Sequence, residues 1–160
     1  MSKQSDVGAL GSRGLRPVVG AAIVDSLSTP TLLLAARRSY PEELRGLFEL
    51  PGGKVERGEL PSDALRREIY EELGVHLELG SPVPGPGNDT EGYDFAPWPI
   101  LQGRAMWVWL AQIQPGEEPR PSGSHSALTW VNREGALELP WLPADVPIAR
   151  AVALRMKNAG

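Results

Sequence analysis

The chain has 160 residues, a net charge of −4, a sequence pI of about 5.2 and no cysteine. This length suits one domain with a sizeable core. The composition excludes disulfides, thiolate metal sites and a cysteine nucleophile, and an acidic domain does not hold duplex nucleic acid by charge alone. No apolar run nears the ~20 residues of a membrane span, and the N-terminus lacks the apolar core of a secretory signal. These features point to a cytoplasmic protein.

Residues 1–16 are polar and glycine-rich and read as a flexible tail; 17–160 read as a single domain. Val18 to Asp25 and Thr31 to Arg38 are aliphatic runs around a Ser/Pro turn, hence two strands. Alternation places Arg37 and Arg38 on opposite faces. Tyr40 to Leu44 is a loop or one helical turn. Gly46 to Leu50 is a short strand leading into Pro51-Gly52-Gly53-Lys54, where glycines permit close backbone approach to a ligand.

A helix is expected from Pro61, at a first-turn position that needs no N–H, to Leu73, with Gly74 beyond its end. Leu65, Ile69 and Leu73 form its apolar stripe. Glu68, Glu71 and Glu72 share the neighbouring face. Glu68 and Glu72 repel at i, i+4, at roughly 0.2–0.5 kcal/mol. Taken alone, the cluster is either a solvated acidic face balanced by Arg66 and Arg67 or a functional site, for which a hard divalent cation would account.

Val75 to Leu79 alternates as a strand. Gly80 to Pro99 is a proline-rich irregular stretch, read as an insertion beside the site. Ile100 to Ile113 is a strand carrying Met106, Trp107 and Trp109, and Ala127 to Val131 another. Asn132 caps a helix through Leu137. Pro140 to Asp145 is a rigid connector, and Val146 to Met156 the last helix. Strands and helices in this order form an α/β/α sandwich around a mixed β-sheet.

From Gly53 the chain reads Gly, five residues, Glu59, seven residues, Arg67-Glu68-Ile69, one residue, Glu71-Glu72, one residue, Gly74-Val75. This resembles the Nudix box at every fixed position, and the Pro51-Gly52-Gly53-Lys54 entry is similar to the MutT-type branch. The resemblance covers roughly Val18 to Leu154. It implies the Nudix fold and a Mg²⁺-dependent hydrolase, with Mn²⁺ as substitute. The substrate would be a (deoxy)nucleoside triphosphate cleaved to monophosphate and pyrophosphate, with 8-oxo-dGTP first and dCTP or a methylated CTP next. An ADP-ribose or dinucleotide polyphosphate hydrolase, or a nucleotide-sensing module without catalysis, are the other readings. A small-molecule nucleotide is the expected partner, with the protein a monomer or homodimer.

By the same resemblance, Glu68, Glu71, Glu72 and the carbonyl of Gly52 are metal ligands. Glu68 is the candidate general base, and Arg67 orients the carboxylates from one turn of Asp63 and Glu71. Arg38, Lys54, Leu50 and Asp145 face the substrate; Gly53, Glu59 and Gly74 are structural. Two departures stand out. MutT-like proteins carry a Glu directly before the histidine here numbered 125, where this chain has Ser124. That loses one carboxylate unless Glu68 or another acid supplies it, and His125 is either a loop histidine or a proton shuttle. A Pro-Ala-Asn that reads the purine edge in the best-known MutT proteins is here Pro143-Ala144-Asp145. The aspartate either reads the base or caps the final helix.

Overall fold

A computed structural model describes residues 15–158. Most of the expected tail lies outside these residues. Arg16, its last residue, donates from Nε to the Val55 carbonyl.

Eight strands are described: β1 Val18–Ile23, β2 Leu33–Arg38, β3 Phe48–Glu49, β4 Gly52–Lys54, β5 Leu77–Pro82, β6 Trp98–Pro99, β7 Ala105–Ile113 and β8 His125–Val131. The helices are α1 Pro61–Leu73, α2 Arg133–Glu138 and α3 Val146–Ala153. The main sheet runs β4-β1-β7-β5, with β6 also on β7. Only β1 and β7 are parallel within it, so the sheet is mixed. A second, antiparallel sheet runs β3-β2-β8.

β1 lies mid-sheet, buried on both faces, which its unbroken apolar run permits. Val19, Ala21 and Ile23 point to the core beneath α1; Ala22 and Val24 point to the core shared with α2 and α3. The period-2 alternation of one strand thus serves two helical layers, giving the α/β/α sandwich.

α1 begins with Pro61 at its first turn and ends where Gly74 takes φ 72° and donates to the Tyr70 carbonyl. Ala64, Leu65, Ile69 and Leu73 are buried against the sheet, which turns Glu68, Glu71 and Glu72 toward β4 and the glycine loop. Asn132 caps α2, accepting from the Gly135 N–H at 2.8 Å.

Three expectations need correction. The strand expected from Ile100 begins only at Ala105, because Leu101–Gly103 is a 3₁₀ turn with Gln102 at φ 63° and Gly103 at φ 73°. This reversal joins β6 to β7 as a hairpin, and its apolar flanks hide it from periodicity. The 80–99 stretch is not beside the site. Phe95 stands edge-on to Trp109 at 5.0 Å, Tyr93 edge-on to Trp107 at 4.8 Å, and Trp107 Nε1 donates to the Phe95 carbonyl at 2.8 Å. The stretch is held there because Gly85 meets the Pro97 backbone where any side chain would collide. It is a cover for β7, and β5 extends into it as far as Pro82. The last helix stops at Ala153, short of Met156.

No described helix is long and apolar enough to cross a membrane. Ile69 is fully buried at the centre of the α1 stripe. Ile69→Ala should cost about 2–5 kcal/mol of stability, read by chemical denaturation, because the rigid sheet beneath it cannot collapse into the space.

Candidate active site

The carboxylates of α1 are organised by one guanidinium. Arg67 donates from Nε and Nη2 to the two oxygens of Glu59, at 2.8 and 3.0 Å, a paired geometry that only arginine offers. Its Nη1 reaches Glu68 at 3.2 Å and Glu71 at 3.3 Å, and Nη2 also meets the Lys54 carbonyl at 3.0 Å. Asp63 is not among its partners; it lies 3.8 Å from Arg66. Hydrogen bonding to Arg67 holds the Glu59 carboxyl below its usual range, while Glu59 in turn raises Arg67. Glu59 also accepts the Glu56 N–H, closing the loop onto the helix.

Glu72 is different. Its carboxyl is mostly buried, and one oxygen, Oε1, has no hydrogen-bond partner. Burial pushes it up to about 7; His125 opposes this, Glu68 and Glu49 add to it, and a hydrogen bond from the Gly52 backbone lowers it. The glycine loop passes close by. A Cβ on Gly52 would collide with the Val19 carbonyl, so that position requires glycine, and one on Gly53 would displace the Glu68 carboxyl.

His125 is not a loop histidine. It opens β8, its side chain is 3% exposed, and its Nε2 lies 2.6 Å from Glu49 Oε2. The same oxygen accepts from Arg38 Nη1 at 2.7 Å. Arg38 spends Nε and Nη2 on the Tyr40 carbonyl. Glu49 therefore joins the site from β3. The sequence reading missed it, although its place immediately before Leu50-Pro51-Gly52-Gly53 was a usable signal: a carboxylate on a half-buried strand at the mouth of a glycine loop.

Asp145 does not cap α3, for its side chain makes no bond to that helix terminus. It accepts instead from the Leu50 N–H at 2.8 Å and is 4% exposed. Burial pushes it up to about 7, with Glu49 adding to the rise and the Leu50 N–H opposing it.

A cleft of about 400 Å³ connects these groups. Glu72, Gly52, Gly53 and Lys54 line one part, and Asp145, Ala144, Leu142 and Leu50 another, with Arg38 and Glu49 also in the wall. The β6–β7 turn, through Leu101, Gln102 and Arg104, completes it and was not foreseen. Glu68 and Glu71 are not in that wall; Arg67 holds them at its edge.

Among the described residues no three acidic or histidine side chains converge into a ready metal cluster. The donor set nevertheless fits a hard divalent cation: all ligands are oxygens, the buried Glu72 Oε1 lacks a partner, and the glycine backbone leaves room beside Glu68.

The raised Glu72 carboxyl has a stability consequence. Its folded pKa, about 7, exceeds the ordinary 4.5 of a glutamate. Its contribution is therefore full below about pH 4.5 and lost as pH rises through 7. In metal-free buffer, Glu72→Gln should melt at about the wild-type temperature near pH 4.5. By pH 8 it should melt a few degrees higher, on the order of 1–2 kcal/mol. Thermal melts with chelator across that range check this.

A family model described as NUDIX domain matches residues 14–152. A Mycobacterium tuberculosis protein named "Putative 8-oxo-dGTP diphosphatase 2" is 41% identical over 128 residues, 80% of this chain and 81% of its own. The CTP pyrophosphohydrolase of Escherichia coli is 32% identical over 124 residues, 77% of this chain and 84% of its own. The solution structure of the E. coli ORF135 protein superposes with a TM-score of 0.64 at 31% identity, covering 87% of this chain and 89% of that one. With the glutamate-bearing α1, the glycine loop against it and the cleft between, the chain belongs to the Nudix family as a MutT-type hydrolase of phosphoanhydride bonds.

Proposed function

We propose that this enzyme cleaves a (deoxy)nucleoside triphosphate to the monophosphate and pyrophosphate, with Mg²⁺ as its ion and Mn²⁺ as a working substitute. The observation that carries this reading is the cleft itself. It is one nucleotide in size, with the Glu72 carboxyl and glycine backbone lining one part and a buried aspartate another. The first candidate substrate is 8-oxo-dGTP, after the M. tuberculosis relative's name.

Glu68, Glu71, Glu72 and the Gly52 carbonyl would hold the ion. When bound, it neutralises polyphosphate charge and acidifies a water. The chain's own residues do the rest. Arg67 keeps Glu68 and Glu71 oriented on one side. Glu68, beside the Gly53 backbone, is our candidate to take the proton of the attacking water. Arg38 and Lys54 supply positive charge along the cleft wall.

Asp145 favours a second reading. One of its oxygens is committed to the Leu50 N–H, which leaves the other for the base. An ionised carboxylate accepts only, and the N4 amine of cytosine is a matching donor, as are N1–H and N2–H₂ of guanine. A dCTP or methylated CTP substrate therefore meets the same pocket, and the E. coli relative is named for CTP.

Hydrolysis of a nucleotide panel, with products identified, decides among these. It should include 8-oxo-dGTP, dCTP, 5-methyl-dCTP, ADP-ribose and a dinucleotide tetraphosphate. One triphosphate should dominate and release pyrophosphate, and Glu72→Gln should lose at least about 100-fold in kcat. Turnover of none of them with either ion, alongside tight nucleotide binding, would instead mark a sensing module.

The base contact has its own signature. If ionised Asp145 accepts from the base, KM for the preferred substrate should fall as pH rises from 6 to 8, through its value of about 7. Asp145→Asn should flatten that dependence. Initial-rate kinetics at fixed free Mg²⁺ read both.

A further inference from the structure

Glu49 is the acid of the cleft that the hydrolytic reading leaves without a task. Two bonds fix it, and both fall on one oxygen: Oε2 accepts from Arg38 at 2.7 Å and lies 2.6 Å from His125 Nε2. The carboxylate is thus held in one orientation, and neither bond uses Oε1. Such an arrangement costs side-chain freedom at three residues, one of them a histidine buried to 3% exposure. A surface ion pair would not need that.

Its position says what Oε1 meets. Glu49 directly precedes Leu50, whose N–H anchors Asp145 at the base-facing part of the cleft. Three residues later, Gly52 and Gly53 stand against the α1 carboxylates at the phosphate-facing part. Glu49 lines the same cleft, and its carboxylate lies close enough to both Glu72 and Asp145 to act on each. The part of a nucleotide between phosphate and base is the sugar. A sugar hydroxyl is a donor, and a pre-oriented carboxylate oxygen is its strong acceptor.

We propose that Glu49 binds a ribose or deoxyribose hydroxyl through Oε1 and so helps set which sugars are turned over, with His125 as its positioning residue. This rests on the nucleotide reading of the cleft. Glu49 in this role does not replace the carboxylate absent at Ser124; it recognises substrate. His125 Nδ1 is buried without a partner, so the ring's one polar contact is the one that holds Glu49.

The test pairs functional-group deletion on the substrate with substitution on the protein. The ribo, 2′-deoxy and 2′,3′-dideoxy forms of cytidine and guanosine triphosphates are compared by kcat/KM. In the wild type, removing the recognised hydroxyl should cost about 10- to 100-fold, the worth of a hydrogen bond to a charged group. In Glu49→Gln that penalty should shrink to a few-fold, the best hydroxylated substrate falling further than the dideoxy form. His125→Ala should lose most of the discrimination, and His125→Gln, which can return a donor toward Oε2, should recover part of it. A folding defect alone would lower every substrate equally, and circular dichroism melts identify it. Because the substrate series in the wild type needs no variant, the proposal stays exposed even if Glu49→Gln misfolds. Equal rates for all three sugars in the wild type overturn it, as does a Glu49→Gln loss that is the same for each. Absence of turnover for every form removes the nucleotide reading and this proposal with it.

Discussion

The site depends on the fork that Arg67 forms with its neighbours. Like-charged side chains on one helical face repel one another, and nothing in the apolar stripe of α1 offsets that. The offset comes from a single guanidinium that meets both oxygens of Glu59, reaches Glu68 and Glu71, and ties down the Lys54 carbonyl. The loop entering the helix and the acidic face of the helix are thereby one unit. A lysine would supply the charge without the planar geometry.

Glu72 stands outside this arrangement, and that division matters. Glu68 and Glu71 remain compensated in the metal-free protein. Glu72 carries the unrelieved cost of burial, with one oxygen unpartnered and its carboxyl near neutrality. An unpartnered acceptor next to compensated ones suits the proposed cation, which would relieve Glu72 most. Local destabilisation is placed where function needs it.

A similar logic runs through the part of the cleft around Asp145. Asp145 is buried and held by one backbone N–H, Glu49 is held by Arg38 and His125, and the β6–β7 turn closes the rim with a non-glycine residue in the left-handed region. These groups come from five separate segments of chain. They meet only because β3 and β8 flank β2, while β7 lies parallel to β1.

What could be read without coordinates was local. Proline at the start, glycine at the end and a four-residue apolar spacing specified α1. The box spacing placed Glu59, Arg67 and the three helical glutamates on it, because all these relations lie within a few turns of one helix and its entry loop. The aliphatic run from Val18 to Asp25 specified a strand, and the order of strands and helices the layers. Tertiary structure decided the rest. Glu49 and His125 are 76 residues apart in sequence, and Leu50 and Asp145 are 95 apart. No periodicity joins such pairs, so Asp145 could be a cap or a base reader until packing turned it toward Leu50. The Leu101–Gly103 reversal was hidden by its apolar flanks, and the 80–99 stretch found its place only when Trp107 and Trp109 offered a surface to cover. Short-range chemistry sets which elements form; which of their side chains share a cleft is a property of how the sheets pair.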